Sequence, residues 1–249
     1  MSFCTNCFKA VTHDGTPEGQ MTELGGVKCY VATPKVDYPK DKVVIFLTDA
    51  HGMLLVNNKL LADDYARNGF KTIVPDLFNG DPIPVESLEP GAPPFDWPSW
   101  LPKHGSAQTR PLIDAVMAAL KADGVKEFAC CGYCFGARYT FDLAFDGLIK
   151  VAVIAHPSLL KRPEDLETYR DKATAPLLIN GCTHDPVFPP EDQEKADEIM
   201  ANFAPGYKRE YWEGASHGFA LKGDLSDPKV WAAKTGAFKA TIDWLFKYL

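Results

Sequence analysis

The sequence feature that most constrains this chain is a five-residue turn, Gly132-Tyr133-Cys134-Phe135-Gly136. It directly follows an apolar, strand-like run over residues 127–131 and opens a helix-like run that extends to Phe145. A nucleophilic side chain with a glycine two positions away on either side is typical of a sharp strand-to-helix turn, because only small residues fit where strand and helix crowd together. Such a turn exposes the middle side chain on a strained backbone. We therefore predict that Cys134 is a nucleophile.

Composition excludes several classes of protein. The chain has 249 residues and is 46% hydrophobic, so it can build one sizeable core, and we expect a single domain over residues 1–249. The net charge is -7 and no basic stripe is present, so nucleic acid is not an expected partner. No apolar run approaches the ~20 residues of a membrane helix. The first residues lack the basic and apolar segments of a signal peptide, and seven scattered cysteines suggest free thiols, so we expect a cytoplasmic protein.

Strand and helix patterns alternate along the chain. The β-branched run 42–47 predicts a buried strand, and the run 54–68 has helical spacing and stops at Gly69. This alternation favours right-handed crossovers and a mostly parallel central sheet flanked by helices on both faces. Further strands are expected over residues 27–32, 70–74, 127–131, 150–155, 176–180 and 207–212, and further helices over 106–122, 137–145, 190–203 and 228–249.

A thiol is a strong nucleophile only as its thiolate, so Cys134 needs a base or a positive field. Three histidines follow it in the chain, and of these His217 lies in a glycine-flanked loop between the last strand and the last helix. His156 and His184 follow earlier strands and fit the position of the base less well. The alternative for His217 is a solvent-facing loop histidine. We predict that His217 is the base.

The acid that orients this base should follow the strand over residues 176–180. Asp185 is the only acidic residue in that loop, with a helix cap or an Asx turn as its alternative role. The order nucleophile, acid, histidine is that of the α/β-hydrolase fold. An oxyanion hole needs two backbone N–H donors, which we expect from Phe135 and from Ala50 in the loop after the strand 42–47.

Five parts of the chain carry a resemblance to a known family. They are His13 to Gly19, Val74 to Phe78, Gly132 to Gly136, Asp185, and Ser216 to Phe219. Together they resemble the dienelactone hydrolase (carboxymethylenebutenolidase) family, especially its fungal branch, over nearly the whole chain. The resemblance implies an α/β-hydrolase fold, a triad of Cys134, Asp185 and His217, and no metal or organic cofactor. It also implies opening of an unsaturated five-membered lactone that bears a carboxylate, giving a keto-dicarboxylate.

The chain departs from the family pattern at its charged positions. Bacterial members place a Glu after the early strand, where it interacts with the resting thiol, and the matching position here is Asp49. They also bind the substrate carboxylate with Arg side chains, one of them a few residues after the catalytic histidine, where this chain has Lys222. Arg110 and Arg138 are weak candidates for the second Arg. The resemblance implies a small anionic lactone or ester as substrate and a monomer or homodimer.

Four aromatic residues are further candidates for contact with substrate or control of the thiol. Trp97 and Trp100 lie in the long Pro-rich loop after Asp76, where they could wall a pocket or pack the loop onto the body. Tyr133 could pack beneath the turn or extend its hydroxyl to the site. His156 ends a strand and could lie near the pocket or be a core histidine.

Two other functions stay open at this stage. One is a related hydrolase of another small ester, lactone or polyketide-like compound. The other is a non-catalytic or redox-sensing binding protein, in which Cys134 would oxidise reversibly and turn over no ester. Cys4 and Cys7 form a C-x-x-C, but no second pair follows, and a structural zinc needs four ligands, so no metal site is expected.

Overall fold

The computed structural model describes residue 11 and residues 14–249, and a β-sheet runs through its centre. Cys4, Cys7 and His13, which entered the sequence analysis, lie outside the described residues. The strands are β1 (Gln20–Leu24), β2 (Val27–Ala32), β3 (Lys42–Leu47), β4 (Thr72–Pro75), β5 (Glu127–Tyr133), β6 (Val151–Ala155), β7 (Leu177–His184) and β8 (Tyr207–Ser216). The helices are α1 (Val56–Arg67), α2 (Trp97–Trp100), α3 (Ser106–Ala122), α4 (Phe135–Phe145), α5 (Glu164–Lys172), α6 (Pro190–Met200) and α7 (Pro228–Tyr248).

The sheet has the order β1-β2-β4-β3-β5-β6-β7-β8. The six strands from β4 to the β8 edge are parallel, whereas β2 is antiparallel to both of its neighbours. This confirms the predicted α/β class with a mostly parallel sheet. Because the carboxyl ends of parallel strands meet at one edge, the loops that follow β3, β5, β6, β7 and β8 are brought together there.

Helices cover both faces of the sheet, as predicted. Side chains alternate along β3, so that Ile45 and Leu47 join the core beneath α3 to α6, while Val44 and Phe46 join the core beneath α1 and α7. The apolar residue at every position of β3 after Lys42 is what burial on both faces requires. The site at the strand ends is therefore supported by packed residues on each side.

β1 is an element that the sequence analysis did not predict. Its residues are mostly exposed and polar, so they lack the apolar alternation of a half-buried strand. The strand forms because Gly25 and Gly26, with φ of 59° and 79°, make a two-residue turn that pairs Leu24 with Val27. Two consecutive positive φ angles are the requirement of the type I′ hairpin turn.

β7 and β8 each end four residues later than predicted. Their pairing continues through an irregularity after Cys182 and ends where His184 faces Ser216. The extension matters because Asp185 directly follows the end of β7 and His217 directly follows the end of β8. The paired strand ends therefore hold these two side chains next to each other.

The long loop between β4 and α3 contains local structure. Short 3-10 turns over residues 85–88 and 101–103 flank the single turn of α2. The N–H of Ile83 donates to the carbonyl of Ala50, which joins this loop to the loop after β3.

A membrane-spanning segment is absent from the described part of the chain, where none of the helices is long and apolar enough to cross a bilayer.

Candidate active site

Cys134 sits at the tip of the turn between β5 and α4 with a strained backbone, φ 48° and ψ -108°. Such angles are rare for a residue with a side chain and persist only where neighbours fix them. Here the N–H of Cys134 donates to the carbonyl of Ala155 at 3.1 Å, and its carbonyl accepts from the N–H of Ser158 at 3.0 Å. The end of β6 thus clamps the turn on both sides of the sulfur.

The two glycines of the turn are required by crowding rather than by their φ angles. A Cβ on Gly132 would lie 2.2 Å from the hydroxyl oxygen of Thr140, and one on Gly136 would lie 2.2 Å from the carbonyl oxygen of Leu47. Neither separation is tolerable between nonbonded atoms. The close approach of α4 to β3 and β5 therefore explains why the sequence has glycine at both positions.

Asp185 and His217 form a hydrogen-bonded pair. The Nδ1 of His217 lies 2.9 Å from the Oδ1 of Asp185, and the same oxygen accepts from the N–H groups of Val187 and Phe188 at 2.9 Å each. The Asp185 side chain is buried, whereas the His217 ring retains 22% exposure. A buried carboxylate with three donors on one oxygen is rigid, so it fixes the orientation of the imidazole.

The proton affinity of His217 is raised by its neighbours. Burial lowers the pKa of His217, but the hydrogen bond with Asp185 and the contact with the Cys134 sulfur outweigh it and raise the pKa to about 10. Two acidic partners on one imidazole stabilise its protonated form. The arrangement therefore favours an imidazolium beside the sulfur.

The loop that contains Ala50 is hydrogen-bonded to the turn that contains Phe135. Phe135 is the first residue of α4, where a backbone N–H has no acceptor within the helix. The N–H of Gly136 donates to the carbonyl of Thr48 at 3.0 Å, which holds the loop after β3 against the start of α4. The structure thus brings together the two segments that were expected to supply the oxyanion donors.

Asp49 is buried and contacts residues other than the thiol. Its Oδ1 accepts from the Nδ2 of Asn58 at 3.0 Å and from the N–H of His51 at 3.2 Å, while its Oδ2 lies 3.6 Å from the Nζ of Lys222. No hydrogen bond joins Asp49 to Cys134 in the described structure. In this structure the carboxylate of Asp49 is therefore paired with Lys222, and its role in controlling the thiol stays a prediction.

Arg110 and Arg138 are engaged away from the strand ends. Arg110 on α3 binds the carboxylates of Asp114 and Asp146, each at 2.7 Å. Arg138 on α4 binds Asp142 at 2.8 Å and also Asp165. Both guanidinium groups form ion pairs on and beside the helices, so the structure does not support either as a ligand for a substrate carboxylate.

Tyr133 and His156 are core residues. The hydroxyl of Tyr133 is hydrogen-bonded to that of Tyr65, and its ring stacks on Phe46 at 4.7 Å, so of the two alternatives for Tyr133 the structure shows packing in the core. His156 is fully buried, with its ring edge-on to His217 at 5.1 Å. Burial holds the pKa of His156 well below its usual range, so the ring is neutral. It packs against the candidate base and is not accessible to substrate.

The two tryptophans have different environments. Trp100 is buried, donates its indole N–H to the carbonyl of Asp81, and packs against Phe78 and Phe135. It therefore packs the long loop onto the turn, in agreement with the packing alternative. Trp97 is 47% exposed and meets Trp100 edge-on at 5.9 Å. Of the two, Trp97 is the one that a ligand can reach.

Ser158 is a site residue that the sequence analysis missed. Its hydroxyl oxygen lies 3.2 Å from the sulfur of Cys134, in addition to the backbone bond described above. Its neighbours His156 and Leu159 have φ of 38° and 63°, which are unusual values for residues other than glycine. Ser158 lies three residues after the end of β6, and a serine in a loop carries no signal by which the sequence could have identified it.

Comparison with known proteins gives the family. The model of the dienelactone hydrolase family matches residues 27–249. The chain belongs to the dienelactone hydrolase family. This confirms the resemblance drawn from the motifs, including its fungal branch, since fungal relatives of similar length match at about one-third identity.

Two of these fungal relatives match almost from end to end. A protein named hydrolase pyvD, from Aspergillus violaceofuscus, is 32% identical over 98% of this chain and 96% of its own. The second is named dienlactone hydrolase 1 and comes from Gibberella moniliformis. It is 33% identical over 96% of this chain and 91% of its own.

The fold agrees with that of solved members. The structure of a putative dienelactone hydrolase from Klebsiella pneumoniae superposes with a TM-score of 0.71 at 19% identity, covering 89% of this chain and 93% of the other. This likeness confirms that the protein has the α/β-hydrolase fold. Membership in the family makes the protein a hydrolase.

Proposed function

We propose that this family member is a cysteine-dependent hydrolase that opens a lactone or a small carboxylic ester through a thioester intermediate. The observation that carries the proposal is the Asp185–His217 pair, joined at 2.9 Å beside a cysteine on a strained, clamped turn. A thiol, a base and an orienting acid in this order are the parts that nucleophilic acyl transfer requires.

In the first half of the reaction, the thiolate of Cys134 attacks the carbonyl carbon. The oxyanion that forms is stabilised by the N–H groups of Phe135 and Ala50. The acyl C–O bond then breaks, and the leaving oxygen takes the proton held on His217. In an unsaturated lactone the ring opens at this step, and the leaving enolate is stabilised because its charge is delocalised.

In the second half, neutral His217 removes a proton from water, and the resulting hydroxide attacks the thioester carbonyl. The tetrahedral intermediate collapses with Cys134 as the leaving group, which restores the thiolate and the imidazolium. Asp185 keeps Nδ1 of His217 occupied throughout, so Nε2 is the nitrogen that exchanges protons. No metal or cofactor takes part in the proposed reaction.

Two substrate classes follow from this chemistry. The resemblance to carboxymethylenebutenolidases favours a dienelactone that opens to a maleylacetate-type product. The ion pair between Asp49 and Lys222 favours another small ester or lactone, because it occupies the cation that a substrate carboxylate would use.

The test is hydrolysis of cis- and trans-dienelactone and of simple aryl esters by wild type, Cys134→Ala and His217→Ala. We expect both variants to lose at least about 10³-fold in kcat/KM. His184→Ala is the matched control, because the His184 side chain is exposed, and it should retain activity. Mass spectrometry of the acid-quenched enzyme should show the acyl group on Cys134.

Each outcome bears on a different part of the proposal. Turnover of esters without dienelactones would keep the cysteine mechanism and reject the dienelactone. Turnover that survives in Cys134→Ala would exclude the cysteine mechanism. If no ester or lactone is hydrolysed and Cys134 oxidises reversibly, the redox-sensing alternative replaces the proposal.

A further inference from the structure

We propose that the site selects uncharged esters or lactones over substrates that bear a carboxylate. This inference rests on the proposed hydrolase function and names the substrate class of the same site. It is carried by the charges at the carboxyl ends of the strands, taken together with the exposed side chains around them.

The first observation concerns Lys222, the cation on the loop after β8 that the family pattern assigns to a substrate carboxylate. Its Nζ lies 3.6 Å from the Oδ2 of Asp49. Asp49 is 3% exposed and is held by Asn58 and by the N–H of His51. The Asn58 amide also donates to the carbonyl of Gly52, so if Asp49 turned to solvent one of the two buried amide N–H groups would lose its acceptor.

The pair therefore has no net charge to offer an anion. A substrate carboxylate that approached Lys222 would lie close to the carboxylate of Asp49. Two like charges a short distance apart repel each other at the effective dielectric of a protein surface. That repulsion cancels the attraction of the lysine for the incoming group.

The second observation is the balance of the other titratable groups at the site. The negative charges of Asp185 and of a Cys134 thiolate face one imidazolium, that of His217. His51 and His156 add no positive charge, since burial lowers the pKa of both. The described groups around the nucleophile are thus neutral or negative in sum, which disfavours an anionic substrate.

The third observation concerns three arginines that could be considered as partners for a substrate carboxylate. Arg110 and Arg138 are bound to aspartates on the helices, as described above. Arg162, on the segment after β6, is bound to Asp192 of α6. Each guanidinium already has a carboxylate partner, so an anionic substrate would have to break an existing ion pair to gain one.

The fourth observation is apolar exposure at the same edge of the sheet. Leu54, Leu159 and Val187 follow β3, β6 and β7, and they are 57%, 37% and 39% exposed. Trp97 in the long loop is 47% exposed. Loops at the carboxyl ends of parallel strands surround the nucleophile, so these side chains are suited to contact an apolar acyl or alcohol group.

The test compares pairs of substrates that differ chiefly in charge. One pair is 4-nitrophenyl heptanoate and the 4-nitrophenyl monoester of adipic acid, which have acyl chains of similar length and in which the free carboxylate does not readily attack its own ester. The other is a dienelactone and its methyl ester. Rates are divided by the hydroxide-catalysed rate of each compound, so that intrinsic reactivity cancels. We expect kcat/KM to favour the uncharged member of each pair by about 10-fold or more.

Asp49→Asn tests the source of the preference. The substitution keeps the shape of the side chain and leaves Lys222 without a carboxylate, so the anionic substrates should gain relative to the uncharged ones by about 10-fold. Lys222→Met should change the ratio in the opposite direction. Circular dichroism checks that both variants are folded, and the wild-type ratio stands as a test even if they are not.

The possible results distinguish a failure of this inference from a failure of the proposed hydrolase function. Hydrolysis of both members at equal normalised rates, or preference for the anion, overturns the inference and leaves the hydrolase standing. A wild-type preference that Asp49→Asn does not change also overturns it, because the ion pair would not be its source. Failure to hydrolyse any of the four compounds counts against the proposed function itself.

Discussion

At the scale of single residues, the sulfur of Cys134 lies between two partners of different chemistry. His217 offers an imidazolium, and Ser158 offers a hydroxyl 3.2 Å from the sulfur. A hydroxyl that donates to a thiolate stabilises the charge without taking part in proton transfer. Ser158 is therefore expected to act as a positioning residue for the nucleophile.

Ser158→Ala should make the thiolate harder to form. The loss of one hydrogen bond to a charged group is expected to move the midpoint of Cys134 alkylation by iodoacetamide upward by about one pH unit. Ser158→Thr keeps the hydroxyl and should restore the midpoint, and Ser87→Ala, at an exposed serine, is the control. An unchanged midpoint in Ser158→Ala would show that the hydroxyl is structural only.

His217 links stability to pH. Its pKa is raised from 6.5 to about 10, so the folded state holds this proton more tightly than the unfolded state does. The resulting stabilisation is complete below about pH 6.5 and is lost as the pH rises through about 10. Urea unfolding of wild type and His217→Gln should therefore give free energies that differ more at neutral pH than at pH above about 10. A difference independent of pH would contradict the raised pKa.

The sequence predicted the residues of the candidate triad but not all of their surroundings. Cys134, Asp185 and His217 each follow a strand, and their residue types restrict what they can do there. Ser158 and Asn58 act through single contacts between distant segments, and serine or asparagine in a loop or helix carries no comparable signal. The partner of Asp49 could not be predicted either, because the choice between Lys222 and the thiol depends on a distance.

At the scale of elements, the turn between β5 and α4 depends on how closely the helix approaches the sheet. The sequence predicted the strand, the turn and the helix correctly because their patterns are local. It did not predict the full lengths of β7 and β8, since the last paired residues are polar and their pairing arises between strands. β1 was missed for the same reason.

Gly136→Ala should destabilise the protein by at least about 2 kcal/mol, because the added Cβ would lie 2.2 Å from the carbonyl oxygen of Leu47. Guanidinium unfolding measures the change. Gly105→Ala is the matched control, since its added Cβ would meet no atom closer than 3.6 Å and its φ is -74°, within the common range. Equal effects of the two substitutions would show that crowding at the turn is not the reason for glycine.

At the scale of the whole molecule, the cysteines of the described residues differ sharply in environment. Cys29, Cys130, Cys131 and Cys182 are fully buried, whereas Cys134 is partly accessible. Burial raises the pKa of Cys29, Cys130 and Cys182 to about 12 in each case, so these thiols stay protonated at neutral pH.

Iodoacetamide at neutral pH should therefore modify Cys134 before the four buried cysteines just named, and activity should be lost in proportion. Peptide mapping after brief alkylation measures the order of labelling. Denatured protein, in which every thiol is accessible, is the control. Equal labelling of Cys182 and Cys134 in the native protein would show that burial does not protect the core thiols.

The single-domain arrangement and the monomeric or dimeric state stay predictions.

The hydrogen bond between Ile83 and Ala50 joins the long loop between β4 and α3 to a segment expected to stabilise the oxyanion. A change of sequence in that loop can therefore move the backbone at Ala50 and so alter how well the oxyanion is stabilised when the carbonyl is attacked. Among relatives of this protein, insertions or deletions between β4 and α3 should therefore alter turnover as well as substrate range. Loop length in this region is a variable through which evolution could adjust rate without touching the nucleophile, the acid or the base.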